Sequence, residues 1–263
     1  MMLNWEPRYC IYCVQNQVSA CCKKSYPEDL KDMDSTKTTE PSAVTFQPGT
    51  TRSRFQTAPE TEQGPIQIRK MEPQDIEFTG RIIVEAFHDK VEHAVGKSRM
   101  EDMTQLFTKI LRRSTHLWHR YHVAMYEGKP AGAMVIKFHD DNAIEDFQCC
   151  ETLSHVGCWG CCGILCMLFA FTDISIGAAE CYVDTVGVDA DYRGKGIGKA
   201  LMERADSEAR QRGCTSVFLW VKQSNRAVRL YERQGFVITH PFGTWFTGFA
   251  TGCRDWYNME KKL

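Results

Sequence analysis

Arg193-Gly-Lys-Gly-Ile-Gly198 lies between a strand-like run, Cys181-Tyr-Val-Asp-Thr-Val-Gly-Val188, and a helix-like run from about Ile197 to Arg210. Glycines at alternate positions, 194, 196 and 198, let a ligand approach the backbone closely. The helix that follows turns its unpaired N–H groups and the positive end of its dipole toward whatever enters the loop. Strand, basic glycine turn and helix N-terminus together make a diphosphate cradle. A P-loop would close on Gly-Lys-Ser or Gly-Lys-Thr, and here Gly196 follows Lys195. The dinucleotide fingerprint G-x-G-x-x-G needs a different glycine spacing and an acidic residue about twenty positions on. The strand found there, Ser216-Val-Phe-Leu-Trp-Val221, does not end in one. What remains is Arg-Gly-x-Gly-x-Gly.

Two blocks carry a resemblance: Val186-Gly-Val-Asp-Ala-Asp-Tyr-Arg-Gly-Lys-Gly-Ile-Gly-Lys-Ala-Leu-Met202, and Asn225-Arg-Ala-Val-Arg-Leu-Tyr-Glu-Arg-Gln-Gly-Phe236. In this order, with a strand between them, they resemble the GNAT superfamily of acyl-CoA-dependent N-acyltransferases. The resemblance covers Ile66 to Leu263. It implies an α/β fold, a mixed, mostly antiparallel twisted sheet with helices on both faces. It also implies acetyl-CoA as co-substrate, with direct transfer of acetyl to a primary amine in a ternary complex.

Carried over residue by residue, the resemblance puts the CoA diphosphate on Arg193, Gly194, Lys195, Gly196, Ile197, Gly198 and Lys199. The pantetheine arm falls along Val186, Gly187 and Val188, where an N–H near Val188 would polarise the thioester carbonyl. Ile197 also reads as core. Asn225 matches a position that binds the cofactor arm, and equally suits a helix cap. Tyr231 matches the general acid that protonates the leaving thiolate; flanked by Leu230 and Phe236, it also reads as core. For the base, Asp184 shares strand parity with Val186 and Val188 and points to the face of Tyr182. Glu180 is its rival, and a structural hydrogen bond is the other reading of Asp184. A non-catalytic acyl-CoA-binding module is the alternative from another class.

With 263 residues, 43% of them hydrophobic, the chain can bury a sizeable core, and one domain plus a tail is the natural division. Residues 1–64 hold 7 basic and 8 acidic side chains, and 65–263 hold 25 of each. Neither part makes a basic field, so nucleic acid is not expected as a partner. An amine-bearing small molecule or a protein amine is. Met1 to Ala20 shows no continuous apolar core of a signal peptide. The thirteen cysteines therefore read as reduced thiols in a cytoplasmic setting, with nuclear or membrane-associated locations as alternatives. Cys10, Cys13, Cys21 and Cys22 fit a zinc site poorly, because an adjacent pair lacks the usual spacing. His88, His93, His116, His119 and His122 lie in or near the expected helices before the hairpin, most of them reading as solvated helix faces, and no metal is expected.

Residues 1–64 read as a disordered, cysteine-containing tail and linker, and 65–263 as the folded domain. Order begins with a strand at Ile66–Met71. A helix opened by Glu72-Pro73 follows, with Ile76, Ile82, Ile83 and Phe87 on one face. A second helix covers Met100–Leu111, and a hairpin turns on Glu127-Gly128-Lys129. After strand 180–188 and the loop helix come strand 215–221, helix 224–233, strand 235–240 and a last strand at Cys253–Lys261. An apolar insertion occupies about 140–179, where Val156 to Phe171 runs sixteen residues without a charge. It reads as a buried or pocket-covering helix, as a membrane-surface segment through 156–171 with Cys158, Cys161, Cys162 or Cys166 acylated, or as a span.

Overall fold

The computed structural model describes residues 64–141, 148–170 and 174–263. The expected tail, with Cys10, Cys13, Cys21 and Cys22, lies outside the described residues apart from Gly64. β1 (Ile66–Lys70) leads into a 3₁₀ turn at Pro73–Asp75 and then α1 (Ile76–Ala86). Asp75 fastens this corner. Its carboxylate accepts the Glu72 N–H at 2.8 Å and two guanidinium bonds from Arg69 at 2.5 and 3.0 Å. Ile76, Ile82 and Ile83 are buried, as their spacing demands.

Where two helices were expected before the hairpin, there are three. α2 (His88–Val95) follows α1 at Phe87 and stops at Gly96, whose φ of 83° a side chain resists. It buries only Val91 and Val95, too few points to mark a helical period. α3 (Met100–Arg113) buries Met103, Leu106, Ile110 and Leu111. β2 (Tyr121–Tyr126) and β3 (Lys129–Phe138) form the expected hairpin. Glu127 (φ 48°) and Gly128 (φ 78°) supply the two positive φ angles of a type I′ turn.

The apolar insertion forms α4 (Cys149–Phe169), kinked at Gly157 (φ 70°, ψ 178°). Val156 and Ile164 are buried among Val91, Val95, Leu106 and Ile110, so the helix packs over α2 and α3. At Gly163 an added Cβ would lie 2.2 Å from the Ala94 carbonyl oxygen, so only glycine allows this approach to α2. Arg99 donates to the His155 carbonyl at 3.0 Å, next to the kink. By length and composition the helix could cross a membrane, and only 28% of that stretch is buried in the domain. Beyond the kink, Cys158–Phe169 extends about 18 Å at the usual rise, against a hydrocarbon core of about 30 Å. The inner face packs on α2 and α3, and the outer face exposes Trp159 (89%) and Phe169 (57%).

β4 (Glu180–Val188), α5 (Ile197–Gln211), β5 (Ser216–Lys222), α6 (Val228–Arg233), β6 (Val237–Phe242), α7 (Trp245–Thr251) and β7 (Trp256–Lys262) complete the domain. The expected helix from 224 starts only at Val228, and the last strand starts at Trp256 rather than Cys253. α7 was not expected. Thr244 caps it by accepting the Thr247 N–H at 3.0 Å, and Gly252 ends it at φ 69°. Gly243 and Gly248 dilute the helical signal in that window.

The seven strands form one sheet in the order β1-β2-β3-β4-β5-β7-β6. Every neighbouring pair is antiparallel except β4 and β5, which run parallel. This is the expected mixed, mostly antiparallel α/β sheet with helices on both faces. Two glycines let the helices lie close. A Cβ at Gly187 would sit 2.5 Å from Ile82 Cγ2 of α1, and one at Gly132 would sit 3.0 Å from Ile197 Cγ2 of α5. α1 and α5 therefore press on opposite faces of β3 and β4. On the α5 face, Met134, Ile136, Val183, Leu201, Leu219 and Met259 make the main core.

Candidate active site

Register decides the geometry of β4. Against β3, Val135 faces Thr185 and the next residue, Ile136, faces Val183. Asp184 is the extra residue of a β-bulge, which shifts the alternation by one. Val183 packs in the α5-side core, and so do Val186 and Val188. Asp184 instead meets Lys137 at 3.1 Å and lies beside Tyr182, on the face of α1 and α2. The expectation that Asp184 shares a face with Val186 and Val188 is thereby corrected. Its pairing with the face of Tyr182 stands.

β4 and β5 pair from Glu180↔Ser216 to Val183↔Leu219 and no further, although β4 runs on to Val188 and β5 to Lys222. The two strands splay. Beyond the bulge, the β4 edge facing β5 has no ladder partner among the described residues, so its backbone groups can pair with an extended ligand. Glu180 sits at the closed end of this wedge, where its carboxylate accepts the Gly177 N–H at 2.8 Å. It stands four residues before Asp184 on β4, at the paired end of the wedge.

The glycine loop follows the open end of β4. Asp189 accepts the Asp191 N–H at 3.1 Å and takes Arg81 of α1 at 2.6 Å, and these contacts hold its carboxyl below the usual carboxylate range. Arg193 Nε donates back to the Val188 carbonyl at 3.2 Å. Gly194 and Gly196 both have positive φ (79° and 84°), with open space around the former. Lys195 Nζ lies 4.6 Å and 5.0 Å from the ring centroids of Tyr126 and Tyr192. In α5 the Ala200 N–H is bonded to the Gly196 carbonyl at 3.0 Å, and no side chain caps the helix. The N–H groups of Ile197, Gly198 and Lys199 precede that bond and face outward. An anionic diphosphate fits such an end.

Ile197, 1% exposed, is a core side chain and offers a ligand only its backbone. Lys199 pairs with Glu203 at 3.5 Å on the outer side of α5. At Gly198 an added Cβ would meet Leu230 Cδ2 at 3.2 Å and Val188 Cγ2 at 3.8 Å. The fold thus joins the two sequence blocks: the end of β4, the start of α5 and α6 meet at one point.

Asn225 is exposed and its side-chain oxygen accepts the Ala227 N–H at 2.9 Å, a turn just before α6. Tyr231, next to Leu230, is 8% exposed, with its ring 6.0 Å from Phe236. Burial pushes its hydroxyl up to about 12, so the phenol keeps its proton at neutral pH.

Across the sheet, Tyr182 stacks on Phe218 at 5.0 Å. Burial and the neighbouring Asp184 carboxylate push its hydroxyl well up. Over this face comes Lys90 of α2, a residue that no sequence signal marked. Its Nζ lies 3.8 Å from the Phe87 ring centroid and 4.7 Å from that of Trp256. Burial pulls its ammonium down to about 7, against the opposing pull of Asp184.

The histidines do not converge. His93 Nε2 contacts the Phe249 carbonyl at 2.7 Å, His119 lies 3.3 Å from Asp141, and buried His122 lies 2.9 Å from Glu208. Among the described residues no three His, Cys, Asp or Glu side chains are placed to hold a metal.

The model of the acetyltransferase (GNAT) family matches residues 84–236, more than half of the chain. Mycothiol acetyltransferase of Propionibacterium freudenreichii is 42% identical over 60 residues, which are 22% of this chain and 19% of that protein. The ribosomal protein bS18-alanine N-acetyltransferase of Escherichia coli is 38% identical over 69 residues, 26% of this chain and 45% of that enzyme. The chain thus spans less than half the length of these curated relatives. A solved acetyltransferase structure shares the fold, with a TM-score of 0.51 and 21% identity over 75% of this chain and 99% of that one. With a splayed strand pair opening beside a glycine cradle, and a family model matched across both, this chain belongs to the GNAT family of acetyltransferases.

Proposed function

We propose that the protein is an acetyl-CoA-dependent N-acetyltransferase that transfers acetyl directly to a primary amine within a ternary complex. The observation that carries this reading is the wedge between β4 and β5, which opens onto the cradle on one side of the sheet and onto Asp184 on the other. The N–H groups of Gly194–Lys199 hold the diphosphate, with Arg193, Lys195 and Lys199 adding charge. Val186, Gly187 and Val188 present backbone groups to the extended arm and polarise the thioester carbonyl. Asn225 stands at the turn beside that arm. Tyr231 gives its proton to the departing thiolate. Asp184 is the carboxylate on the acceptor side.

The acceptor remains a class: a small-molecule amine or a protein amine. One relative's name specifies a ribosomal-protein alanine as its substrate. The charge balance and the reduced-thiol reading support a cytoplasmic enzyme that acts without nucleic acid. Acetyl-CoA at 100 times its Kd should stabilise the protein by about 2.7 kcal/mol, a rise of roughly 5–10 °C in Tm. CoA release should then appear with at least one of spermidine, glycine, kanamycin or an alanyl-terminated peptide. No Tm shift and no release would sink the enzyme reading. A shift without release would leave a non-catalytic acyl-CoA-binding module.

A second reading, membrane-peripheral placement of the same enzyme, is favoured by one observation. The outer face of α4 and the adjacent α7 together expose Trp159, Leu168, Phe169, Trp245 and Phe249. Such a surface suits shallow insertion at a lipid interface. The protein should float with phosphatidylcholine vesicles, and Trp159→Ser with Phe249→Ser should return it to the soluble fraction. Wild-type protein that stays soluble removes this reading.

A further inference from the structure

Lys90 stands where the wedge opens on the side away from the cradle. Its neighbours lie on both arms: Asp184 at the β4 bulge, and Lys222 at the end of β5. Lys222 Nζ is 3.2 Å from Asp89 Oδ2, which ties α2 to the β5 arm. Trp256 pairs with Lys222 in the sheet and contributes one of the two rings beneath the Lys90 Nζ. An amine brought to a thioester in the wedge from this side meets Lys90 and Asp184 together. Asp184 is already engaged, its carboxylate 3.1 Å from Lys137 Nζ and beside Tyr182.

We propose that Lys90 is the catalytic base that takes the proton from the incoming ammonium, with Asp184 as the counter-charge for the ammonium this creates on Lys90. The proposal rests on the N-acetyltransferase reading and names its acceptor-side residue. The proton moves from the acceptor R–NH₃⁺ to the neutral Lys90 amine. The freed nitrogen attacks the thioester carbonyl, the C–N bond forms and the C–S bond breaks. The thiolate takes a proton from Tyr231, which regains one from the nitrogen through solvent, and Lys90 gives its proton to bulk water. One amide, one thiol and one released proton result, so the step balances.

The surroundings suit this role. Burial brings the Lys90 ammonium down to about 7, near the optimum for a base working at neutral pH, and the rings of Phe87 and Trp256 hold the charged form when it appears. The charged and titratable groups facing it are Asp89 on its own helix, Asp184 on β4, Lys222 on β5 and Cys253 before β7. α7 carries no titratable side chain. On α4, Glu151 pairs with Arg113, and His155 with Lys109 at 3.0 Å. On α1, Glu85 pairs with Arg81.

The test is kcat/KM against pH for the fastest of the four amines above, in wild type, Lys90→Met and Lys90→Arg. Below pH 7 Lys90 is charged and cannot accept a proton; above it, the neutral amine can. Wild type should therefore rise through an inflection near pH 7. Both variants should lose that inflection and fall about 10²-fold at pH 7, while keeping the acetyl-CoA-induced Tm shift. Restoration by arginine would overturn the proposal, because it would show a structural cation rather than a proton acceptor. So would a wild-type profile with no inflection near pH 7, a result that needs no variant. Absence of CoA release from wild type with every amine would instead defeat the N-acetyltransferase reading itself.

Discussion

Tyr231→Phe should lower turnover about 10²-fold while leaving acetyl-CoA affinity and the fold nearly intact. Tyr231 packs in the α5-side core with Ile197, Leu201 and Met259, and phenylalanine fills the same ring volume. The cost to stability should be small, because the change removes one hydroxyl and keeps the packed ring. The chemistry lost is larger. The hydroxyl, pushed up to about 12 by burial, is protonated at and around neutral pH, so in the proposed role it is ready to donate. Without it the thiolate must find its proton in water. The measurement is kcat under saturating acetyl-CoA beside the ligand-induced Tm shift in both proteins. Equal turnover would return Tyr231 to a purely structural role, and loss of the Tm shift would show that the hydroxyl serves binding.

Gly198→Asp should abolish acetyl-CoA binding and yet hold or raise the melting temperature of the unliganded protein. The two effects have opposite signs because one site produces both. Gly198 lies in the first turn of α5, where a carboxylate meets the positive end of the helix dipole and gains about 0.3–1 kcal/mol. The new Cβ asks only Leu230 Cδ2, the end of a flexible side chain at 3.2 Å, to move slightly. On the proposed reading, the same carboxylate would occupy the place of the diphosphate. A like charge about 4 Å away near a protein surface costs up to about 4 kcal/mol, and screening at this exposed loop lowers that. Affinity should fall at least about 10²-fold. Isothermal titration with acetyl-CoA and a thermal melt of the apo-protein read the two effects separately. Retained affinity would move the diphosphate away from α5, whereas a lower apo Tm would mean that Leu230 cannot yield.

Much of this site is legible along the chain, and the division is physical. Gly194, Gly196 and the N-terminus of α5 are neighbours in sequence. Their conformation is set by local backbone freedom and by unpaired N–H groups within a few residues. The hairpin at Glu127-Gly128 is equally local. α7 was missed although Thr244 and Gly252 mark its two ends, because the glycines within and before it mask the helical period. α2 was missed because two buried valines make no period.

The sequence by itself determined the order of most elements and the cradle, from alternation, glycine spacing and helix ends, each readable from one stretch of chain; the sheet class came with the resemblance that its two blocks carry. Only the tertiary structure decided the acceptor side. The bulge at Asp184 is a mismatch between β3 and β4, and the wedge is a pairing that stops after Val183 and Leu219; register is a property of two strands and is written in neither alone. Lys90 carries no motif. It becomes a candidate base only because α2 sets its partly buried amine over Phe87 and Trp256, beside Asp184.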